Sequence, residues 1–197
     1  MKFDKLKKAF EQNHGVLKTS ELNELGLDSR KINKLIEDGV IEKIKYGYYI
    51  LSNSIPDEKV VISKLFPEAV IFLESALYYY GYTERVPNKW QIAVEKHSNP
   101  DKFKNEFLHI EPFFIVKKFY DIGISEIKIN NLKINIYDLD KTICDVLRYE
   151  KKLDNEVFTN AIKKYVADEN KDVNNLVKYS KELNIYKKMQ TYVGVWL

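Results

Sequence analysis

The chain has 197 residues, room for one large domain or two small ones. Hydrophobic residues make up 45% and charged residues 31%, with aromatic and β-branched side chains throughout, which excludes a disordered chain. The 32 basic and 29 acidic side chains leave a net charge of only +3, so nucleic-acid binding through bulk charge is excluded and any such binding must come from a local patch. The single cysteine, Cys144, rules out an internal disulfide framework and a CxxC metal site. His14, His97 and His109 are scattered without ligand spacing. No metal and no cofactor are therefore expected. Met1 to Phe10 is charged and amphipathic rather than a signal peptide, and no apolar run approaches the roughly 20 residues of a membrane span. The expected location is cytoplasmic.

Phe3 to Gln12 has helical spacing, with Phe3, Leu6 and Phe10 expected inward and Lys5, Lys7 and Lys8 outward. Asn13-His14-Gly15 ends that helix, and Val16 to Lys18 reads as a short strand. Thr19 or Ser20 is the expected cap of a second helix, with Glu21 in its first turn and Gly26 at its end. Leu27 is the expected buried residue of the turn. Asp28 or Ser29 caps a third helix running to Asp38, whose inner stripe is Ile32, Leu35 and Ile36. Arg30, Lys31, Asn33 and Lys34 fall on or beside the opposite face. Val40 to Lys45 and Tyr48 to Leu51 then form a hairpin around Tyr46-Gly47. This order is that of a winged helix-turn-helix, which lays its recognition helix in a DNA major groove. Base edges would be met by Arg30, Lys31, Asn33 and Lys34. Phosphates would be met by Lys18, Ser20, Ser29, Lys43, Lys45 and Tyr46. The plainer alternative is that these cations only solvate a helix, or that the winged helix binds protein.

Asn53 to Pro56 is polar and ends in proline, giving a boundary after residue 54. The expected fold class is α+β: a winged helix-turn-helix over 1–54, then a mixed α/β C-terminal domain over 55–197. Within the latter, 69–137 is expected to be sheet-rich and 138–197 helical, ending in a helical bundle. Asp57 to Phe66 is a capped helix and Ala69 to Leu73 a buried strand. Glu74 to Gly81 is a helix, opened by Glu74-Ser75 as a capping pair, with at least one of Tyr78, Tyr79 and Tyr80 in the core. Trp90 to Lys96 alternates as a strand would, with Trp90, Ile92 and Val94 on one side and Gln91 and Ala93 on the other. His97 to Asn105 is a loop, and Phe107 to Lys117 is either two strands broken at Pro112 or an edge strand with a bulge. A strand at Ser125–Ile129 turns at Asn130-Asn131 into Leu132–Tyr137. Helices follow at 138–150, from Asp154, from Asp172, and over Ile185 to Trp196.

No phosphate-binding glycine loop and no nucleophile elbow occur. Cys144 sits among apolar neighbours in a helix, as a core residue would. Asp138, Asp140 and Asp145, with Lys141 nearby, could in principle form a metal-dependent nuclease site. Their spacing on one helix argues for capping and for pairing of Asp145 with Lys141 or Arg148 instead. A third reading is a regulator sensing a small molecule in a pocket lined by Tyr78, Trp90 and Phe114.

The chain resembles the AbiEi family of antitoxins from bacterial abortive-infection toxin–antitoxin pairs. The resemblance rests on GVIEKIKYGYYIL in the hairpin, on Leu73-Glu74-Ser75-Ala76-Leu77 through Gly81, and on Ile136-Tyr137-Asp138 through Lys141-Thr142, Asp145 and Leu147-Arg148. The helical tail after Leu153-Asp154 also fits. It implies an N-terminal winged helix that binds inverted repeats in its own promoter and represses the operon. It further implies a C-terminal domain that counters a nucleotidyltransferase-like toxin without a stable complex, and no enzymatic activity. The small net charge and the short wing favour cooperative binding at repeats over tight binding by one copy.

Overall fold

In the computed structural model, which describes residues 2–129 and 131–196, the chain divides into two compact units. One comprises Met1–Pro67, Asn105–Leu108 and Lys128–Ile134; the other comprises Glu68–Lys104, His109–Ile127 and Asn135–Leu197. The first unit extends past the boundary expected after residue 54 and takes in the helix that follows.

The first unit is built on α1 (Lys2–Gln12), α2 (Thr19–Glu24) and α3 (Ser29–Glu37), a three-stranded sheet, and α4 (Glu58–Leu65). The sheet runs β1 (Leu17–Lys18), β3 (Tyr48–Leu51), β2 (Ile41–Lys45), antiparallel throughout. Its core joins Leu6 and Phe10 of α1 to Leu17, Leu22, Ile32, Ile41 and Tyr49. Leu27 is only half-buried and packs against that core. Phe3, expected inward, is instead 56% exposed, because the first turn of α1 extends beyond the packed stripe. The α2 cap also differs from expectation. Lys18 is the cap residue, and its backbone N–H donates to the Glu21 carboxylate (2.6 Å). Thr19 and Ser20 are already helical, because a carboxylate three residues on serves the exposed N–H directly.

The second unit carries most of a five-stranded sheet in the order β6 (Ile110–Ile115), β5 (Trp90–Glu95), β4 (Val70–Ile71), β8 (Leu132–Tyr137), β7 (Ile124–Ile129), of which the end of β7 and the start of β8 fall within the segment Lys128–Ile134 grouped with the first unit. Pairing is parallel for β5–β6 and β4–β8 and antiparallel for β4–β5. β5 is buried on both faces for nearly its whole length, as befits a strand with a parallel neighbour and helices packed on it. Pro112 sits in the edge strand β6 without breaking its register with β5, so the two-strand expectation fails and the edge-strand one holds without its bulge. The loop expected after β5 contains a 3-10 turn, Pro100–Phe103, whose Phe103 is buried. Asn130 of the expected turn lies outside the described residues. Its neighbour Asn131 is left-handed (φ 68°), a conformation that asparagine tolerates.

Helices α5 (Leu73–Tyr79), α6 (Lys117–Tyr120), α7 (Leu139–Arg148), α8 (Asn155–Ala167), α9 (Val173–Glu182) and α10 (Tyr186–Tyr192) complete the unit. Asp138, Asp154 and Asp172 cap α7, α8 and α9 through their carboxylates. Two expectations fail here. Ser75 does not cap α5: it is fully buried, and its hydroxyl accepts from the Gln91 N–H (2.9 Å) while Gln91 Oε1 accepts from the Glu74 N–H (2.9 Å). The pair stitches α5 to β5. The last helix stops at Tyr192, and Trp196, in the 3-10 turn Gly194–Trp196 that follows, is 70% exposed rather than core. Of the three tyrosines, Tyr80 packs on the core and donates to the Tyr137 carbonyl (2.8 Å).

α7 is the centre of this unit. Lys141 and Asp145 are both fully buried and form an ion pair one helical turn apart. The ammonium lies over the Tyr137 ring at 3.9 Å, and Arg148 donates to the other Asp145 oxygen at 2.8 Å. With both oxygens of Asp145 occupied, the desolvation cost of the charges is offset locally. Asp145→Ala would strand Lys141 without a counter-ion. It is expected to cost about 3–5 kcal/mol, read by urea denaturation. Replacing Lys141 and Asp145 together by Met and Leu should cost much less.

Candidate nucleic-acid interface

The third helix is held by its apolar stripe: Ile32 is buried, and Leu35 and Ile36 pack on the same core. Asp28 fixes its start by accepting from the Lys31 N–H (2.9 Å). At 100° per residue, that stripe sends Arg30 and Lys34 to the opposite pole, with Asn33 and Lys31 on the flanks. Arg30, Lys31, Asn33 and Lys34 are all exposed. Glu37 shares the outward pole near the C-terminal end and is also exposed. Arg30 and Lys31 lie in the first turn, where a recognition helix meets base edges, and Lys34 lies in the last turn.

The wing is locked to this helix-turn-helix. The Thr19 N–H at the start of α2 donates to the Gly47 carbonyl (2.9 Å) at the wing turn. Gly47 has φ +79°, and a Cβ there would sit 3.6 Å from Thr19 Oγ1. A register shift between Lys43 and Lys45 makes a bulge that re-aims the wing's last side chains. Tyr46 stands at the tip, 89% exposed, with the Lys43 ammonium 5.2 Å from its ring. Lys18 is exposed and lies 5.8 Å from the Tyr48 ring. Ser20 and Ser29 sit exposed in the first turns of α2 and α3, near backbone N–H groups suited to an anion.

Not every cation expected from the sequence is equally available. Lys31 donates to the Gly26 carbonyl (2.9 Å) and lies 3.9 Å from Asp28, which ties it to the turn before α3. Lys45 is half-buried, with its ammonium 4.1 Å from the Phe66 ring. Lys64 of α4, by contrast, escaped the sequence reading because it follows the expected boundary. Burial holds its ammonium below the ordinary lysine range, while Glu21 pulls it up and Lys18 pushes it down. Lys64 thus belongs to the same charge neighbourhood as Lys18, and hydrophobic periodicity carries no signal that would have placed it there.

The acidic stretch of the second unit makes no comparable site. Asp138 accepts from the Lys141 N–H (2.8 Å) and the Tyr179 hydroxyl (2.9 Å). Asp140 accepts from the Tyr165 hydroxyl (2.8 Å) and the Asp172 N–H (3.0 Å). Burial pushes both carboxyls up, against the pull of these donors. Asp145 is taken by Lys141 and Arg148. Among the described residues, no group of three or more His, Cys, Asp or Glu could hold a metal. Cys144 is buried, its sulfur 3.8 Å from the Leu176 carbonyl, and burial pushes its thiol far up. Three clefts of this unit, one beside Phe158, Ile162, Tyr192 and Trp196 and two beside Arg85, are lined by none of Tyr78, Trp90 and Phe114. No described helix is long and apolar enough to cross a membrane.

A buried three-helix core, an outward basic helix and a strapped β-wing define a winged helix-turn-helix. Residues 4–52, which span this arrangement, match the family described as "Transcriptional regulator, AbiEi antitoxin". The chain thus carries an AbiEi-type regulator domain at its N-terminal end, in line with the resemblance drawn from its residues. In fold the chain is similar to the crystal structure of the RV2827C protein from Mycobacterium tuberculosis, at a TM-score of 0.64 and 12% identity, over 88% of this chain and 72% of that one. At that identity the likeness concerns fold alone. No curated protein sequence matches the chain.

The unequal freedom of the wing lysines gives a test. Lys43→Ala should weaken binding to promoter DNA by several-fold. Lys45→Ala should change it less, because its ammonium is already engaged. Fluorescence anisotropy on one duplex decides between them, and equal losses would contradict this assignment.

Proposed function

We propose that this chain is an antitoxin of a bacterial toxin–antitoxin system that represses its own operon. Its first unit binds inverted repeats in the promoter through α3 and the wing. Its second unit counters a nucleotidyltransferase-like toxin without forming a stable complex with it. The observation that carries this reading is the outward face of α3, where Arg30, Asn33 and Lys34 stand exposed on a helix fixed by cap and core. The match of residues 4–52 to AbiEi regulators supports it.

In this reading Arg30, Asn33 and Lys34 read bases, with Lys31 at their flank. Lys18, Ser20, Ser29, Lys43, Lys45 and Tyr46 contact the sugar–phosphate backbone. A nuclease reading is disfavoured because Asp138, Asp140 and Asp145 each turn to separate structural donors. The functional division is placed between an N-terminal DNA-binding part and a C-terminal antitoxin part, acting in the cytoplasm.

Arg30→Ala and Lys34→Ala should each weaken promoter binding by roughly five- to a hundredfold, the cost of about 1–3 kcal/mol per base contact. If a side chain instead meets a phosphate, its loss should lower the slope of log affinity against log salt by about one. Gel-shift titration at several salt concentrations separates the two. Unchanged affinity and unchanged slope in both variants would refute the assignment. The antitoxin part is tested by co-expression with the product of the neighbouring gene. Growth should be rescued by the full chain, and failure of rescue would remove that half of the proposal.

A further inference from the structure

The two edges of the five-stranded sheet differ. The β6 edge holds Pro112, which has no N–H to offer a further strand. The β7 edge is six residues without proline, Ile-Ser-Glu-Ile-Lys-Ile, and among the described residues no strand lies beyond it in the sheet. Ile124, Glu126 and Lys128 point to the exposed face, while Ser125, Ile127 and Ile129 are half-buried. A strand of this kind is a template for another strand unless something blunts it. A lone lysine would blunt it. Here the lysine is matched two residues away by a glutamate on the same face.

We infer that β7 pairs antiparallel with β7 of a second copy of this chain, about a two-fold axis through Ile127. Antiparallel strands centred on one residue bring each residue opposite its mirror position. Ile127 then faces Ile127 of the second copy. Glu126 faces Lys128 of the second copy, and Lys128 faces its Glu126. Ser125 faces Ile129. The pattern is self-complementary, as an isologous interface requires. Opposite charges directly across two strands attract, and like charges there repel. A shift by one residue would move every side chain to the wrong face, and a parallel pairing in register would place Glu126 on Glu126 and Lys128 on Lys128. Glu126 already has an interaction within its own chain. A carboxylate has lone pairs enough for more than one partner, so the contact with Lys128 is added to that interaction.

The inference rests on, and deepens, the reading of the chain as a binder of inverted repeats: a two-fold protein dimer matches a two-fold operator. A single six-residue edge is a small interface, so the dimer alone is expected to be weak and to gain from DNA.

Sedimentation velocity of the full chain without DNA tests the interface apart from the operator reading. The wild type should show a concentration-dependent monomer–dimer equilibrium. Glu126→Lys and Lys128→Glu should each raise the dimer dissociation constant by about tenfold or more, from two attractive cross-strand pairs turned repulsive. The double variant E126K/K128E should restore the dimer, and an equimolar mixture of the two single variants should form a heterodimer. Restoration by the double variant also shows that the single variants are folded. A wild type that stays monomeric up to several hundred micromolar, a dimer indifferent to the single swaps, or single-variant losses that the double variant does not repair would each overturn the inference. A dimer that behaves as described but ignores promoter DNA would leave the interface standing and overturn the operator reading instead.

Discussion

Everything proposed for the first unit depends on one constraint: α3 has a single face that can be buried. Ile32, Leu35 and Ile36 must leave water together, and the core that receives them is made by α1, α2 and the sheet. Burying three aliphatic side chains is worth several kcal/mol, about 1.5–3 kcal/mol each when complete. That is far more than the few tenths that helix-surface charge pairs contribute. The apolar stripe therefore sets the rotation of the helix, and the charges follow. Arg30 and Lys34 are outward because there is nowhere else for them to be. The hydrogen bond from the Thr19 N–H to the Gly47 carbonyl extends the same rigidity to the wing. Helix and wing are thereby fixed relative to each other before any ligand arrives, so little ordering cost is left for binding.

The second unit shows how a dense run of charges can be structural. Lys141 and Asp145 are fully buried, and their charged ends meet each other, Arg148 and the Tyr137 ring. Asp138 and Asp140 hold Tyr179, Tyr165 and the start of α9. These carboxylates join α7 to α8 and α9. Gly123 belongs to the same arrangement, since a Cβ there would stand 2.5 Å from Lys141 Cβ. Such a network is costly to break by halves and inexpensive to replace whole, which suits a role in specifying one packing rather than in chemistry.

Much of this was legible in the sequence. The stripe of α3, a cap at Asp28 or Ser29, the glycine-closed hairpin, a cap at Asp138 or Asp140 and the helix starts at Asp154 and Asp172 are local signals, and local signals are written in neighbouring residues. The expectations that failed depend on distant partners. Ser75 looks like a helix cap until Gln91, sixteen residues away, is placed beside it. The exposed Phe3 and Trp196 continue helical patterns past the point where there is anything to pack on. For the candidate site, residue types and faces could be read, but availability could not. Lys31 and Lys45 match Arg30 and Lys34 in charge, and only their contacts with Gly26, Asp28 and Phe66 tell them apart. Lys64 entered the neighbourhood of Lys18 solely through the fold.

The central claim is that the outward pole of α3 faces the bases of the chain's own promoter. Photo-crosslinking measures this directly. A photoreactive side chain placed at position 34 should crosslink to bases within each repeat, while the same group at position 182, in α9, should give none. Crosslinks from 182 that equal those from 34, or none from 34 on a duplex that the protein demonstrably binds, would contradict the account.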